Sequence, residues 1–442
     1  MNIVMPSLHT EAKSGFVSDF APMRMLDLEL SQPLPIFSAF DPETNQTYQR
    51  ASCLVCLHTR PIGVVELFFI EDELRPQEYG EQIWNVLGSH INRHLQEDAL
   101  APIAALSIDG IPYTNDPRCI VERERFFEHA PFISVIVPTY NRPDLIKRCV
   151  DSLLTLRYPH YEIIVVDNAP KDDATAEVMR IYGDMHHVRY IRENRPGVAR
   201  ARNLGMRLAQ GTILAYVDDD VTVDPYLLAE IAQAFNAAED VVCVTGHILP
   251  LELETRAQFL IEEYGGYSKG FMRQIFDLKE HRPTNLPLYP YTAGRFGAGA
   301  NMAFKATYLR SVGGFDTRFQ YGSDIESFFQ VVIRGHRLVY EPTALVRHPH
   351  HREYRKLQKQ LYNYGVGLTA FLTKAIIDHP SRLLDFITKI PYGLYFILSP
   401  SSPKNKKKQP DYPRELTISE LRGMLLGPYV HLRSRWAHDE AF

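Results

Sequence analysis

The fold of this chain is constrained most by a regular alternation of apolar strands and helices that begins at Phe132. Strands rich in valine and isoleucine are predicted at residues 133–137, 163–166, 188–191, 213–217 and 241–244. Helical stretches separate them at residues 143–156, 174–182, 196–210 and 225–238. Apolar strands that alternate with helices predict an α/β domain whose parallel sheet is covered on both faces.

Polar residues follow the predicted strands, at the edge where open α/β sheets bind their ligands. They are Pro138, Thr139, Tyr140, Asn141 and Arg142 after the first strand, Asp167 after the second, and Asp218, Asp219 and Asp220 after the fourth. We therefore expect the functional site at this edge of the sheet.

These residue types suit a nucleotide and a metal ion. Tyr140 can stack on a base, and Asp167 can accept a hydrogen bond from a base N–H or a ribose hydroxyl. Arg200 and Asn203 lie three residues apart, on one face of the helix after the third strand. Three consecutive carboxylates at residues 218–220 repel one another unless a cation neutralises them, and oxygen ligands favour Mg²⁺ or Mn²⁺ shared with substrate phosphates.

The same segments carry a family resemblance. Residues 133–142 (ISVIVPTYNR), 164–168 (IVVDN), 195–203 (RPGVARARN) and 216–220 (YVDDD) together resemble family 2 glycosyltransferases of the GT-A fold, a Rossmann-like fold of nucleotide-diphospho-sugar transferases. The resemblance continues through residues 297–304 (GAGANMAF), 313–316 (GGFD) and 321–326 (YGSDIE), which are similar to the family's acceptor-side segments. It covers about residues 131–350, half of the chain.

The resemblance implies a role for each matching residue. The nucleotide sugar would be bound by the loop from Pro138 to Arg142 and by five further residues: Asp167, Arg200, Asn203, Asp218 and Asp219. Asp218 and Asp220 match the DXD motif, in which the first residue touches the nucleotide and the second binds the metal, and His348 matches an additional metal ligand of some GT-A enzymes. Asp324 matches the catalytic base, and Gly299, Asn301 and Glu326 would lie on the acceptor side.

The resemblance also implies the reaction. A sugar would be transferred, with inversion and with Mn²⁺ or Mg²⁺, from a nucleoside diphosphate sugar to a hydroxyl of a glycan, lipid-linked or other acceptor. Uridine diphosphate sugars are favoured as donors, with thymidine and guanosine diphosphate sugars as open alternatives. The processive members of the family carry a Gln-x-x-Arg-Trp motif, whereas Arg435-Trp436 has Leu432 at the glutamine position. A non-processive enzyme is therefore expected.

Other functions fit the sequence less well. A nucleotidyltransferase would have a glycine-rich phosphate loop after the first strand, and a Rossmann oxidoreductase would have GxGxxG there, but this chain has Pro-Thr-Tyr-Asn-Arg. A degenerate transferase that binds nucleotide sugar or glycan without catalysis stays open, although Asp218, Asp220 and Asp324 are all retained.

The remaining segments predict three further parts. Residues 1–25 are interpreted as a flexible tail, residues 26–128 as a small α+β domain of unknown role, and residues 351–442 as a helical region after the GT-A domain at 129–350. Two strands around a turn at residues 58–63 and an amphipathic helix at about 76–98 are expected in the α+β domain. Apolar stretches between Gly365 and Leu398, followed by a lysine cluster at 404–408, suggest either a helical cap or contact with an anionic membrane surface.

Charge and cysteine content limit the partners and the compartment. Lys and Arg total 48 against 53 Asp and Glu, so no overall basic field exists to bind nucleic acid. Five cysteines do not form a disulfide framework, and Cys53 and Cys56 lie in a predicted strand that turns them to opposite faces. His58, His90 and His94 are interpreted as surface or packing residues. The first residues lack a signal-peptide pattern, which favours the cytoplasm, with a peripheral position on the inner membrane face as an option.

Overall fold

The computed structural model describes residues 20–439. Most of the expected N-terminal tail lies outside these residues, and the first strand already begins at Met23. The described chain divides into two compact units, one of residues 20–124 with Glu252–Gln258, and one of Arg125–Leu251 with the residues from Phe259 onward.

The first unit is an α+β arrangement. Its elements are β1 (Met23–Glu29), β2 (Phe37–Ser38), β3 (Phe40–Asp41), β4 (Gln46–Thr47), β5 (Arg50–Leu57), β6 (Arg60–Phe68), β7 (Glu73–Leu74), α1 (Pro76–Glu97) and the start of α2 (Arg118–Phe127).

The core of this unit lies between a small sheet and α1. Strand β5 pairs with β1 in parallel and with β6 in an antiparallel hairpin. Helix α1 buries Ile83, Leu87, Ile91 and Leu95, which recur at helical spacing. Val86 is exposed, because it lies three residues from Ile83 on the flank of the apolar stripe.

The second unit contains the remaining helices and strands, apart from the first three residues of α7, which belong to the first unit. They are β8 (Ile133–Thr139), α3 (Pro143–Leu153), β9 (Tyr161–Asn168), α4 (Ala174–Met179), β10 (Val188–Glu193), α5 (Val198–Leu208), β11 (Ile213–Val217), β12 (Thr222–Val223), α6 (Leu227–Ala234), β13 (Val241–Pro250), α7 (Arg256–Tyr264), β14 (Gln274–Phe276), β15 (Asn301–Lys305), α8 (Ala306–Ser311), α9 (Ser323–Ile333), β16 (Arg337–His348), α10 (Tyr354–Asp378), α11 (Leu383–Leu398) and α12 (Arg414–Asp439).

The main sheet is mixed rather than wholly parallel as expected. Among the described residues its order is β10-β9-β8-β11-β15-β13-β16-β12, and β14 pairs with β16. Strands β8 to β11 are parallel, but β15 enters between β11 and β13 and is antiparallel to both. The α/β class is confirmed, and a mixed sheet with flanking helices fits the GT-A fold.

Alternate residues of the central strands build a separate core on each face of this sheet. Val135 and Val165 pack with α3, α4 and α6 on one side, whereas Ile136 and Ile164 pack with α5, α9 and α10 on the other. Strands that are buried on both faces have apolar residues at nearly every position, and this explains the valine- and isoleucine-rich runs in the sequence. The sheet is therefore a rigid base for the loops at its edge.

The three C-terminal helices differ in burial. Helix α10 adds Ala370, Phe371 and Ala375 to one of the two cores. Helix α11 contains no buried residue. Within residues 20–439, no helix combines the length and apolar character that crossing a bilayer would require.

Candidate active site

The predicted site residues meet at one edge of the main sheet because β8, β9 and β11 are parallel neighbours. Thr139 at the end of β8 is in register with Asp167 at the end of β9. Strand β11 pairs with the other side of β8 and leads into Asp218. Carboxyl ends of adjacent parallel strands share an edge, so these polar residues become neighbours.

The loop after β8 is fixed to the acidic residues after β11. Thr139 Oγ1 donates to Asp219 Oδ2 at 2.7 Å, and Arg142 Nη1 reaches Asp219 Oδ1 at 3.1 Å and Asp220 Oδ2 at 3.2 Å. Asn141 adopts a left-handed backbone with φ 50° and accepts from the Lys171 amide. The ring of Tyr140 is exposed beside this turn. An exposed aromatic face is thereby presented on a fixed loop.

Asp219, the middle acidic residue, acts as the anchor of this loop. Its buried carboxylate receives both Thr139 and Arg142. Burial raises the pKa of Asp219 to about 6, against the opposing effects of Arg142 and the Thr139 hydrogen bond. Because both of its oxygens accept from residues of the loop after β8, Asp219 positions that loop.

Asp167 offers an unused hydrogen-bond acceptor. Its Oδ2 accepts from the Tyr190 hydroxyl at 2.7 Å. Its Oδ1 is buried and has no hydrogen-bond partner among residues 20–439. Burial raises the pKa of Asp167, while the Tyr190 hydrogen bond lowers it. A buried acceptor without a partner is costly unless a ligand satisfies it.

Asp218, Asp220 and His348 form a candidate metal centre. One ligand atom from each lies within 4.8 Å of the others. His348, the last residue of β16, places Nε2 at 3.4 Å from Asp220 Oδ1. In the described part of the chain, neither the buried Asp220 Oδ1 nor the buried His348 Nδ1 has a hydrogen-bond partner. Two carboxylates and an imidazole are a suitable donor set for Mn²⁺ or Mg²⁺.

Asp324 lies in the first turn of α9, where the positive end of the helix dipole favours a carboxylate. The Gly299 amide donates to Asp324 Oδ2 at 2.8 Å. The Gly299 carbonyl in turn accepts from Arg202 Nη2 at 3.4 Å, and the same nitrogen lies 3.5 Å from Asp218 Oδ1. Arg202 and Gly299 thus connect the predicted base to the acidic cluster.

Sequence reasoning missed Arg202, although it stands inside the motif at residues 195–203. Arg200 was singled out instead, and its side chain is only partly buried. The two arginines are two residues apart on α5 and so lie on opposite faces of the helix. Only Arg202 faces Asp218 and Gly299.

Three predicted site residues form their side-chain hydrogen bonds away from the acidic cluster. Both ends of the Asn203 amide bond the backbone of Phe315, so Asn203 holds that loop rather than presenting a free amide to a nucleotide. Asn301 Nδ2 donates to the carbonyls of His247 and Ala344, in the sheet interior.

Glu326 is the third of these residues. It is buried and accepts from Lys374 Nζ at 2.8 Å, within an ionic cluster that also contains Asp316 and Asp378. Asp324 and Glu326 are two positions apart on α9, so the helix turns them to different sides. Glu326 therefore stabilises the contact between α9 and α10.

The comparisons with known proteins match this part of the chain. Residues 134–285 match the model of glycosyl transferase family 2. Validoxylamine A glucosyltransferase of Streptomyces hygroscopicus subsp. jinggangensis is 30% identical over 47% of this chain and 53% of its own length. Glucosyl-dolichyl phosphate glucuronosyltransferase of Haloferax volcanii is 26% identical over 49% of this chain and 68% of its own.

A solved structure is also similar. The mannosyltransferase of Pyrobaculum calidifontis in complex with GDP-Man and Mn²⁺ is 20% identical over 73% of this chain and 81% of its own, with a TM-score of 0.42. This chain spans about half the length of the first curated relatives that it matches. The segment that matches the family model, residues 134–285, includes the loop after β8, Asp167, Arg202 and the acidic residues 218–220, and this part of the chain is similar to glycosyl transferase family 2.

Proposed function

We propose that this protein is a metal-dependent, inverting glycosyltransferase that moves a sugar from a nucleoside diphosphate sugar to a hydroxyl group of an acceptor. The observation that carries the proposal is the convergence of Asp218, Asp220 and His348 at the sheet edge, with Asp324 linked to them through Arg202 and Gly299. Retention of all these groups in one place favours catalysis over the alternative of a degenerate protein that only binds.

The donor nucleotide would lie over the ends of β8 and β9. The unused Asp167 Oδ1 is available to a base N–H or a ribose hydroxyl, and the exposed Tyr140 ring to the face of the base. Arg200 remains a proposed contact to the nucleotide. Uridine diphosphate sugars are the favoured donors, as the resemblance implies.

Asp218, Asp220 and His348 would hold the metal ion. When bound there, Mn²⁺ or Mg²⁺ supplies positive charge that stabilises the departing diphosphate. The buried Asp220 Oδ1 has no hydrogen-bond partner among the described residues and lies 3.4 Å from His348 Nε2, which supports this assignment because a cation between them would satisfy the carboxylate.

Asp324 would act as the general base. The acceptor O–H bond breaks and its proton passes to the Asp324 carboxylate, while the acceptor oxygen bonds to the anomeric carbon. The bond from that carbon to the diphosphate breaks on the opposite face, and the diphosphate leaves with the electron pair. One base is enough for this single displacement, which inverts the anomeric configuration. The Gly299 amide fixes the orientation of the base.

The acceptor is proposed to be a glycan or a lipid-linked glycan at the inner face of the cytoplasmic membrane. Helix α11 exposes an apolar stripe of Leu384, Ile387, Pro391, Leu394 and Leu398, at helical spacing. Lys406 and Lys407 are exposed just beyond its end. An apolar stripe beside lysines is typical of helices that lie on anionic membranes. The relative from Haloferax is named for a glucosyl-dolichyl phosphate, and this supports a lipid-linked acceptor.

The proposed mechanism is tested by separating donor binding from turnover. Asp324→Asn should bind the nucleotide as the wild type does but lose turnover by roughly 10²–10⁴-fold, the usual contribution of a general base. Asp220→Ala should lose the part of nucleotide affinity that depends on Mn²⁺. Binding of uridine, thymidine and guanosine diphosphates is measured by calorimetry with Mn²⁺ or with chelator, and turnover as diphosphate release from the matching nucleotide sugar.

The exposed Asp184 provides a matched control, since Asp184→Asn removes an equivalent carboxylate away from the acidic cluster. Normal turnover in Asp324→Asn would remove Asp324 as the base. A wild-type protein that binds a nucleotide with Mn²⁺ but never releases diphosphate from its sugar would support the degenerate, binding-only alternative.

A further inference from the structure

Four buried side chains with metal-binding atoms meet in the first unit, away from the sequence motifs. His58 lies in the turn between β5 and β6, His94 in the last turn of α1, Asp98 directly after α1, and Cys119 in the first turn of α2. One ligand atom from each lies within 4.8 Å of all the others. Three separate elements therefore contribute to one cluster.

The ligand atoms of the other three residues lie close to Asp98 Oδ2. Asp98 Oδ2 lies 2.6 Å from His58 Nδ1, 3.2 Å from His94 Nε2 and 3.0 Å from Cys119 Sγ, and the two imidazole nitrogens are 3.2 Å apart. With zinc bonds of about 2.0–2.3 Å, the ligand atoms of a tetrahedral site lie roughly 3.3–3.6 Å from one another. Small outward movements of the four side chains would make room for the ion.

The chemistry of the set selects the metal. Two imidazoles, one thiolate and one carboxylate are ligand types that zinc takes in structural sites. Mg²⁺ and Ca²⁺ prefer oxygen ligands, which disfavours them here. Zn²⁺ with one thiolate, one carboxylate and two neutral imidazoles has no net charge, which suits a site whose four side chains are all buried.

The turn that contains His58 has a backbone conformation that its residue types rarely adopt. His58 and Thr59 have φ of 54° and 67°, in the left-handed region where hairpin turns normally use glycine or asparagine. A β-branched threonine there is costly, so the conformation needs compensation from elsewhere. Part of it comes from the Glu29 carboxylate, which accepts from the amides of His58 and Thr59, and a bond from His58 to a metal would add to it.

We propose that the first unit carries a structural zinc site with His58, His94, Asp98 and Cys119 as its four ligands. Four protein ligands close the coordination sphere, which is the arrangement of structural rather than catalytic zinc. The ion joins the β5–β6 hairpin to both helices in a unit with one modest core. Small domains commonly use a metal in this way.

The test uses the full-length protein after dialysis against a weak chelator. Elemental analysis should find one zinc per chain, and Asp220→Ala should keep it, because that variant disables only the sheet-edge centre. Protein loaded with Co²⁺ should show thiolate-to-cobalt charge-transfer absorption. This absorption should be lost in Cys119→Ser and kept in Cys53→Ser, which changes another fully buried cysteine of the same unit.

X-ray absorption at the zinc edge of the wild type gives an answer even when Cys119→Ser fails to fold. One sulfur and three nitrogen or oxygen ligands are expected. Absence of zinc from the dialysed wild type, a ligand shell without sulfur, or cobalt–thiolate absorption that persists in Cys119→Ser would each overturn the proposal. Loss of the zinc in Asp220→Ala would likewise assign it to the sheet edge instead.

Discussion

At the scale of single residues, Arg202 is the group that ties the acidic cluster to the proposed base. Its guanidinium is buried, lies over the Phe315 ring and reaches both Asp218 and the Gly299 carbonyl. The Nη2 nitrogen serves both acceptors, and it is held in place because the planar guanidinium lies over Phe315, whereas a lysine ammonium on a flexible stem is not fixed in this way. Arg202 is therefore a positioning residue for Asp324.

We predict that Arg202→Lys lowers kcat by at least roughly 10-fold, which corresponds to about 1.4 kcal/mol of transition-state stabilisation. The change should fall mainly on kcat, because Arg202 holds Gly299, which orients Asp324; any smaller effect on donor KM would pass through the contact with Asp218. Arg200→Lys is the matched control on the opposite face of α5 and should act mainly on donor KM. Steady-state kinetics decide the matter, and an unchanged kcat in Arg202→Lys would contradict this role.

Sequence reasoning located the acidic residues because strand ends are easy to find, but it could not choose between the arginines. In a sequence, the buried face of a helix is recognised by the spacing of its apolar residues. On α5 this spacing does not single out one face. Ala199, Ala201, Arg202 and Asn203 are all buried. When neighbours on every side are buried, only the tertiary structure shows which polar side chain reaches the site. The same ambiguity applies to Asn203, whose amide bonds the backbone of Phe315.

At the scale of elements, close packing of α10 against α12 depends on glycine. A Cβ atom on Gly423 would stand 2.0 Å from the Tyr362 carbonyl oxygen and 3.0 Å from the Val366 amide nitrogen. A Cβ on Gly365 would similarly stand 2.1 Å from the Glu420 carbonyl oxygen. Backbone atoms cannot move aside as side chains do, so the two helices touch only because these side chains are absent.

We predict that Gly423→Ala lowers the free energy of unfolding by about 1–3 kcal/mol, the usual cost of overpacking. Gly393→Ala in α11 is the control, because its nearest atom is 3.9 Å away. There the gain in helix propensity should stabilise the protein by about 0.5–1 kcal/mol. Denaturant midpoints of the two variants should shift in opposite directions, and equal shifts would mean that the α10–α12 contact is not tight.

The positions of elements were easier to predict than their pairing. Periodicity located β8 to β11 and the helices between them to within a few residues. It does not reveal β15, because the first four of its five residues fall within the segment at 297–304 that resembles an acceptor-side segment of the family. A strand of this length acquires its direction from its neighbours β11 and β13 rather than from its own sequence. Its antiparallel entry is what makes the sheet mixed.

At the scale of the whole molecule, membrane contact has to overcome an unfavourable total charge. The chain carries a formal net charge of −5, which anionic lipid repels. Attraction must therefore come from a local feature, and the α11 stripe with Lys406 and Lys407 supplies one. Each lysine near an anionic surface contributes about 1 kcal/mol, and inserted leucines add the burial of their apolar area.

We predict that the full-length protein sediments with vesicles of phosphatidylglycerol and phosphatidylcholine at low salt, less so as ionic strength rises. The double variant Leu384→Ser and Leu394→Ser should weaken this binding at least roughly 10-fold, the ratio that about 1.4 kcal/mol produces. Ile181→Ser serves as the control. Ile181 is 64% exposed and Leu384 is 77% exposed, so the two side chains are similarly accessible, but Ile181 lies outside α11. Binding that is equal in both variants, or absent in the wild type, would show that α11 does not mediate membrane contact.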